Sequence, residues 1–240
     1  YGCSALERIN LNNVKNIGSQ VFQNDSALSN VGNTTKLTSV GDKAFSGCSS
    51  LAAIDLSEAT VLGTSAFENC SSLKSIGSLN TGITTLNNTF YGCALEMDDV
   101  SLPNLKTFNG TVFGGCKIKK ISNLGSITTW SGAYLNTQTF GDPKYLEEVT
   151  LPDTITKTPL WGFSGCVALK YIHANKLTEI GNSSLNFCES LREIPCSEQI
   201  TAFNTDAPNS PYIQLIHLPV CTTYFSFETT LATILILPAI

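Results

Sequence analysis

Residues 44–56 read Ala-Phe-Ser-Gly-Cys-Ser-Ser-Leu-Ala-Ala-Ile-Asp-Leu, and residues 66–79 repeat them as Ala-Phe-Glu-Asn-Cys-Ser-Ser-Leu-Lys-Ser-Ile-Gly-Ser-Leu. Both copies contain Phe, two residues, Cys, two residues, Leu, two residues and Ile. A unit that recurs after 22 residues has the length of one turn of a leucine-rich solenoid. The fold therefore follows from how far this unit extends along the chain.

The cysteines show the extent of the repeat. In the repeat position they are Cys3, Cys48, Cys70, Cys93, Cys116, Cys166 and Cys188. Most steps between them are 22 or 23 residues, and Asp25, Pro143 and Ser210 fall in register where a cysteine is missing. These anchors predict about eleven coils in a single domain over residues 1–240, with an insertion near 127–142 and a degenerate last coil over 220–240. The opening fragment Tyr1-Gly2-Cys3 favours a segment of a longer parent chain.

Each coil has two short extended pieces and one tight turn. In Leu-x-x-Ile-x-Leu the last two apolar positions are two apart, which is the period of a strand with one buried face. A second apolar pair follows in most coils, as at Leu37 and Val40. The four residues from Phe to Cys suit a single helical turn or a 3-10 turn. Stacked coils predict short parallel strands, and the register of Trp130 and Phe140 places both in the core.

The pattern Ile-Gly-x-x-Ala-Phe-x-Gly-Cys-x-x-Leu-x-x-Ile-x-Leu-Pro, nearly complete at residues 40–56, resembles the BspA-type (Treponema pallidum-type) leucine-rich repeat. The resemblance covers essentially the whole chain. It implies a right-handed leucine-rich solenoid, and a protein of bacterial surfaces or secretions. The chain departs from the pattern in the 27-residue step from Cys116 to Pro143, in the spacing from Cys93 to Met97, and in the compressed coil after Val220.

Composition excludes several classes of function. Only 14% of the 240 residues are charged and the formal net charge is −5, which excludes a basic nucleic-acid binder and a polybasic membrane-surface protein. No uninterrupted apolar run approaches the roughly 20 residues that span a bilayer, so direct membrane insertion of this segment is not expected.

Nine cysteines could suggest metal or redox chemistry. Zinc ligands, however, commonly come in pairs two to four residues apart, and cysteines in 22-residue steps provide no such pair. The closest pair, Cys188 and Cys196, has seven intervening residues. The sequence instead predicts small buried side chains in one recurrent position, mostly reduced, whose thiols could donate to backbone carbonyls.

Catalytic motifs are missing from the sequence. The two histidines, His173 and His217, fall at the same strand position two coils apart, where exposure on a sheet surface is the simplest interpretation. A Gly-x-Ser-x-Gly elbow, a phosphate-binding glycine loop and a His-x-x-x-His pair are all absent. We therefore expect neither enzymatic activity nor a cofactor.

The informative surface lies inside Leu-x-x-Ile-x-Leu. Its middle pairs run Asp98-Asp99, Lys119-Lys120, Glu147-Glu148 and Lys170-Tyr171. In a parallel stack these opposite charges meet, which favours a stabilising charge ladder over direct ligand contact. If the surface does contact a ligand, the candidate partner-binding residues are Asp99, Lys120, Glu148, Tyr171 and His173, with Tyr134 and Tyr145 of the aromatic insertion.

An extended repetitive surface without catalytic groups points to binding. The resemblance implies an adhesin-like surface or secreted protein that contacts protein or glycan ligands on host or neighbouring cells. Two alternatives stay open: a carbohydrate-binding module that uses the aromatic insertion, and a passive stalk that displays another domain.

Overall fold

The structure is a computed structural model that describes residues 3–128, 130, 139–192 and 199–203. The centre of the predicted insertion, including Tyr134, and the predicted last coil at 220–240 lie outside these residues, as does His217. Within the described ranges the chain forms thirteen short strands. They are β1 (Asn16–Ile17), β2 (Ser39–Val40), β3 (Val61–Leu62), β4 (Thr85–Asn87), β5 (Glu96–Met97), β6 (Val100–Ser101), β7 (Thr107–Asn109), β8 (Lys117–Ile118), β9 (Lys120–Asn123), β10 (Glu148–Thr150), β11 (Tyr171–His173), β12 (Glu179–Ile180) and β13 (Ala202–Phe203).

The strands stack in two parallel rows, as the repeat predicts. The first strand row contains β5, β6 and β8–β11, and the second contains β1–β4, β7, β12 and β13. Partners in β10 and β11 are 23 positions apart, as for Glu148 and Tyr171, whereas Lys120 pairs with Glu148 across the insertion, 28 positions on. The solenoid has about seven turns, whereas the sequence predicts about eleven coils for the whole chain, part of which lies outside the described residues.

The Phe-to-Cys segments are consecutive tight turns, and the prediction of a helical turn was wrong in this respect. The amides of Ala44 and Cys48 donate to carbonyls three residues earlier, but the amides of Lys43, Phe45 and Gly47 donate to the next coil. Lys43 and Gly47 have φ values of 52° and 78°, which a right-handed helix excludes. Every second amide of the segment therefore bonds to the next coil, whereas in a helix it would bond within its own segment. We call these segments together the turn row.

Two bulky residues adopt the same left-handed backbone in the turn row. Glycine and asparagine take up this conformation easily and occupy many of these positions, but Trp161 has a φ of 60° and Phe187 a φ of 59°. A side chain in this region costs about 1–2 kcal/mol. The amide of Trp161 bonds to the Asn182 carbonyl of the next coil, so coil stacking holds this turn against the local preference of the residue.

A stack of phenylalanine rings fills the interior behind the turn row. Successive rings of Phe22, Phe45, Phe67, Phe90 and Phe113 lie 5.1–5.8 Å apart between centroids, with interplanar angles of 5–23°. We call this series the phenylalanine stack. Each coil contributes one ring, so the stack couples neighbouring coils along the whole series.

Beside the insertion, the aromatic rings pack on different partners from those in the regular coils. The ring of Phe140 stacks on Phe108 at 5.5 Å and on Phe163 at 5.6 Å. The Trp130 ring packs against both Phe140 and Phe163, at 5.4 and 5.6 Å. Trp130 and Phe140 are buried, which confirms their predicted place in the core. An extra aromatic side chain thus fills the volume where the regular repeat is interrupted.

Candidate interaction surface

The repeated cysteines form a buried row beside the phenylalanine stack. Five thiols donate to a phenylalanine carbonyl of the preceding coil, which confirms the predicted hydrogen bond. The Sγ–O distances are 3.0 Å for Cys48–Phe22, 3.1 Å for Cys70–Phe45, 3.1 Å for Cys93–Phe67, 3.6 Å for Cys116–Phe90 and 3.2 Å for Cys188–Phe163. Each of these carbonyls also accepts a backbone amide hydrogen bond within its own turn, so the thiol is a second donor that links the two coils.

Burial makes these thiols poor nucleophiles. It raises the pKa of Cys48, Cys116 and Cys166 to about 12, with desolvation of the thiolate as the main cause. Cys3, Cys48, Cys70, Cys93, Cys116 and Cys166 form no disulfide, and of the cysteines in the described ranges only Cys3 is exposed. No group of three or more His, Cys, Asp or Glu side chains in those ranges could hold a metal ion. Cys196 and Cys221 lie outside them.

Aspartate replaces cysteine in one coil. Asp25 is only 2% exposed, and its Oδ1 accepts a hydrogen bond from the Cys3 backbone N–H at 2.6 Å. The carboxylate therefore bonds a backbone group of the neighbouring coil, but as an acceptor where the thiols act as donors. This confirms that the position is structural, whichever side chain occupies it.

The charged pairs of the first strand row meet as predicted. Lys119 Nζ donates to Asp98 at 2.6 Å, and Lys170 Nζ donates to Glu147 at 2.6 Å. Lys120 Nζ lies 2.8 Å from Glu148 Oε1. We call these residues, with Asp99, the charge ladder. Each pair joins adjacent coils, so opposite charges alternate along the solenoid.

Asp99 pairs differently from its neighbours in the charge ladder. Its carboxylate accepts hydrogen bonds from the Ser122 hydroxyl at 2.7 Å and the Ser122 amide at 3.0 Å. The register between β6 and β9 shifts at Val100 and Ser101. Since Lys120 bonds to Glu148 on its other side, Asp99 pairs with the hydroxyl and amide of Ser122, two positions beyond Lys120.

Several contacts lie outside the pairs that the sequence singled out. Lys117 Nζ bonds to Glu96 at 2.7 Å and lies 5.6 Å from the centre of the Tyr145 ring, a cation–π distance. Lys157 pairs with Glu179 at 2.5 Å beside the second strand row. The 21-residue spacing of Glu96 and Lys117 is compatible with an ion pair between adjacent coils. Both residues precede the middle pair of the repeat, to which the predicted charge ladder is confined.

The ion pairs set the pKa values of their members. The hydrogen bond from Lys120 is the first cause that lowers the pKa of Glu148, and the hydrogen bond from Lys119 lowers the pKa of Asp98. The pKa of Lys120 is raised in turn by its bond to Glu148. All of these groups stay charged at neutral pH, so the charge ladder is intact there.

Tyr171 and His173 stand at the C-terminal end of the charge ladder. Tyr171 is 60% exposed, the largest exposure of any large hydrophobic residue in the described ranges, and the His173 side chain is 53% exposed. His173 Nε2 lies 3.0 Å from Glu148 Oε1, the oxygen that also binds Lys120. The two rings are 6.2 Å apart with an interplanar angle of 17°. The structure thus brings four of the predicted partner-binding residues together: Lys120, Glu148, Tyr171 and His173.

The remaining candidates lie apart from this group. Tyr145 is 38% exposed, but Lys117 lies near one face of its ring. Asp99 is bonded to Ser122, and Tyr134 lies outside the described residues.

Reversing two lysines of the charge ladder should destabilise the protein at low salt. K119E/K120E places negative charge beside Asp98 and Glu148, so we expect the melting temperature to fall by roughly 2–4 °C. High salt should reduce the difference, because these charges are exposed and screened. Thermal unfolding at two ionic strengths tests this. The control K43E/K106E makes the same charge change outside the charge ladder, and an equal loss in that control would contradict the prediction.

These features define a leucine-rich-repeat solenoid: two parallel strand rows, a turn row, and an interior of phenylalanine, leucine, isoleucine and cysteine. A model of the BspA type leucine rich repeat region matches residues 1–119 and 118–229, in six copies. The chain belongs to the BspA-type leucine-rich repeat family, which confirms the resemblance seen in the sequence.

Solved structures of bacterial leucine-rich repeat proteins are similar to this chain. A leucine-rich cell surface protein from Faecalibacterium prausnitzii is 23% identical, with a TM-score of 0.52, over 91% of this chain and 68% of its own. A leucine-rich repeat protein from Bacteroides ovatus is 19% identical, with a TM-score of 0.42, over 87% and 75%. The leucine-rich repeat protein of T. pallidum is 22% identical, with a TM-score of 0.31, over 80% and 67%. A comparison with curated proteins gave no match. The described ranges contain no apolar helix of the length that crossing a bilayer requires.

Proposed function

We propose that the chain is a non-enzymatic, adhesin-like interaction protein of the bacterial surface or its secretions, and that it binds host extracellular proteins or other cells. The observation that carries this proposal is the exposed group at the end of the charge ladder, above all Tyr171 at 60% exposure beside His173. Tyrosine is enriched at binding hot spots because it offers a large contact area at a low entropic cost. Membership of the BspA-type family supports a role in protein interaction.

The chemistry of the described residues supports binding over catalysis. Burial raises the pKa of the Cys48, Cys116 and Cys166 thiols, so they lack the thiolate that a nucleophile requires. His173 has a carboxylate partner in Glu148, but that carboxylate also neutralises Lys120 on an exposed strand row. In nucleophilic catalysis, by contrast, the base lies within hydrogen-bond reach of a nucleophile and a third group orients it.

The test is saturable binding to extracellular-matrix proteins and to whole cells. We expect the purified chain to bind at least one such surface with micromolar affinity or better, and Y171A/H173A to lose most of that binding. Y91A removes an exposed tyrosine from the turn row and is the matched control, since Tyr91 is 39% exposed. If no matrix protein and no cell binds the chain, the proposal fails and a passive stalk is the better account.

A further inference from the structure

The group around Tyr171 also indicates which ligand chemistry it fits. We infer that Tyr171 and His173, with the ion pairs beside them, form a binding site for a neutral oligosaccharide. This inference rests on the proposed function and specifies the ligand class of the same surface.

The two rings form a small aromatic platform. They come from alternate residues of β11, so both side chains project from the same face of the strand. Their centroids lie 6.2 Å apart and their planes differ by 17°. The two side chains are exposed by more than half, so a ligand reaches them without rearrangement. The face of a pyranose ring that carries C–H bonds is apolar, and it packs on such a platform.

Hydrogen-bonding groups surround the platform at fixed positions. Glu148 is bonded to Lys120 and to His173, and Glu147 is bonded to Lys170, the residue before Tyr171. Ion pairing holds these carboxylates and ammonium groups in place, while their remaining lone pairs and protons stay accessible, since all four side chains are partly exposed. Sugar hydroxyl groups donate and accept hydrogen bonds, so they can use both kinds of group.

The charge arrangement favours a neutral ligand. Among the described residues, Lys120 and Lys170 beside the platform are each paired with a carboxylate, Glu148 at 2.8 Å and Glu147 at 2.6 Å. An anionic or cationic ligand would therefore either break a pair or meet a charge of its own sign. Hydroxyl groups can join these pairs without displacing either member.

The exposed aliphatic residues of the described ranges lie away from the platform. The large exposed aliphatic side chains of the described ranges are Val21, Val61 and Leu160. Val61 belongs to β3 in the second strand row, and Val21 and Leu160 lie in turns. The platform therefore consists of two aromatic rings with polar groups around them.

Binding to defined oligosaccharides tests the inference. The probes are neutral hexasaccharides of glucose and mannose in several linkages, with polygalacturonate and heparin as anionic comparisons. We expect at least one neutral probe to bind, with an affinity that falls ten-fold or more in Y171A and is unchanged in Y91A. Binding should change little between about 0.05 and 0.5 M salt, because no net charge is neutralised.

Three results would overturn the inference. They are no binding by any neutral probe at millimolar concentration, stronger binding of the anionic probes, and an unchanged affinity in Y171A. A separate experiment distinguishes this failure from failure of the proposed function. If Y171A weakens attachment to cells or matrix proteins even after enzymatic removal of their glycans, the ligand is a protein, and the proposed function stands without the sugar.

Discussion

Phe67→Ala should lower the free energy of unfolding by about 3–5 kcal/mol, the range for removing a fully buried aromatic side chain. The Phe67 ring has no solvent exposure and lies in the phenylalanine stack, 5.3 Å from Phe45 and 5.6 Å from Phe90. Its removal leaves a cavity that the rigid turns on either side cannot close. The backbone of Phe67 also donates to Thr89 of the next coil, which limits how far the turn can collapse inward.

Urea denaturation followed by circular dichroism measures the total loss, and amide hydrogen exchange locates it. In a solenoid, stability is approximately a sum of coil and neighbour terms, so faster exchange should be confined mainly to the coils that contain Phe45, Phe67 and Phe90. Phe67→Leu keeps most of the volume and should lose clearly less, while Tyr91→Ala removes an exposed ring from an adjacent coil and should cost little. A loss of under 1 kcal/mol in Phe67→Ala would show that the stack does not stabilise the fold as described.

The interior of this protein could be predicted from sequence because one geometry recurs. Each repeat places Phe, Cys, Leu and Ile at the same depth, and regularly spaced copies define the buried face without knowledge of any long-range contact. Even Trp130 and Phe140, beside an irregular segment, could be assigned to the core from register alone. The same regularity placed Lys119 beside Asp98 and Lys170 beside Glu147.

Two details could not be predicted because they depend on competition between hydrogen bonds. A four-residue Phe-to-Cys segment is compatible with a helical turn, but the amides of Lys43, Phe45 and Gly47 bond to the next coil instead. The bonding partner of Asp99 likewise depends on a local register shift between β6 and β9, and on whether Lys120 pairs with Asp99 or with Glu148. Neither choice is encoded in residue spacing.

The candidate site was only partly predictable for a related reason. Spacing indicates which residues share a row, so Lys120, Glu148, Tyr171 and His173 could be grouped from the sequence. It does not report how exposed each ring is, or that Glu148 binds both Lys120 and His173. These facts follow from side-chain packing.

Cys48, Cys116 and Cys166 should resist alkylation in the folded protein by about 1,000-fold relative to the same thiols in the denatured chain. Cys48, Cys116 and Cys166 have pKa values raised from 9.0 to about 12, so their thiolate fraction near pH 8 is lower by about three powers of ten. Cys3 is exposed and serves as the internal reference. A short iodoacetamide pulse followed by peptide mapping measures each site separately, and the same pulse in denaturant should modify all of them. Labelling of Cys48 as fast as Cys3 would contradict the buried row.

The same raised pKa makes the fold sensitive to alkali. Below pH 9 the Cys48 thiol is neutral in the folded and the unfolded chain, so its ionisation does not affect stability. Above pH 9 the unfolded chain releases the proton while the folded chain keeps it, because the folded thiolate would be desolvated. The free energy of unfolding should therefore fall by about 1.4 kcal/mol per pH unit for this thiol as the pH rises from 9 towards 12. Cys48→Ala removes that contribution, so its denaturation midpoint should fall less steeply over the same pH range, from a lower starting value because the bond to the Phe22 carbonyl is lost. Equal slopes in the two proteins would mean that Cys48 ionises as easily in the folded chain as in the unfolded one.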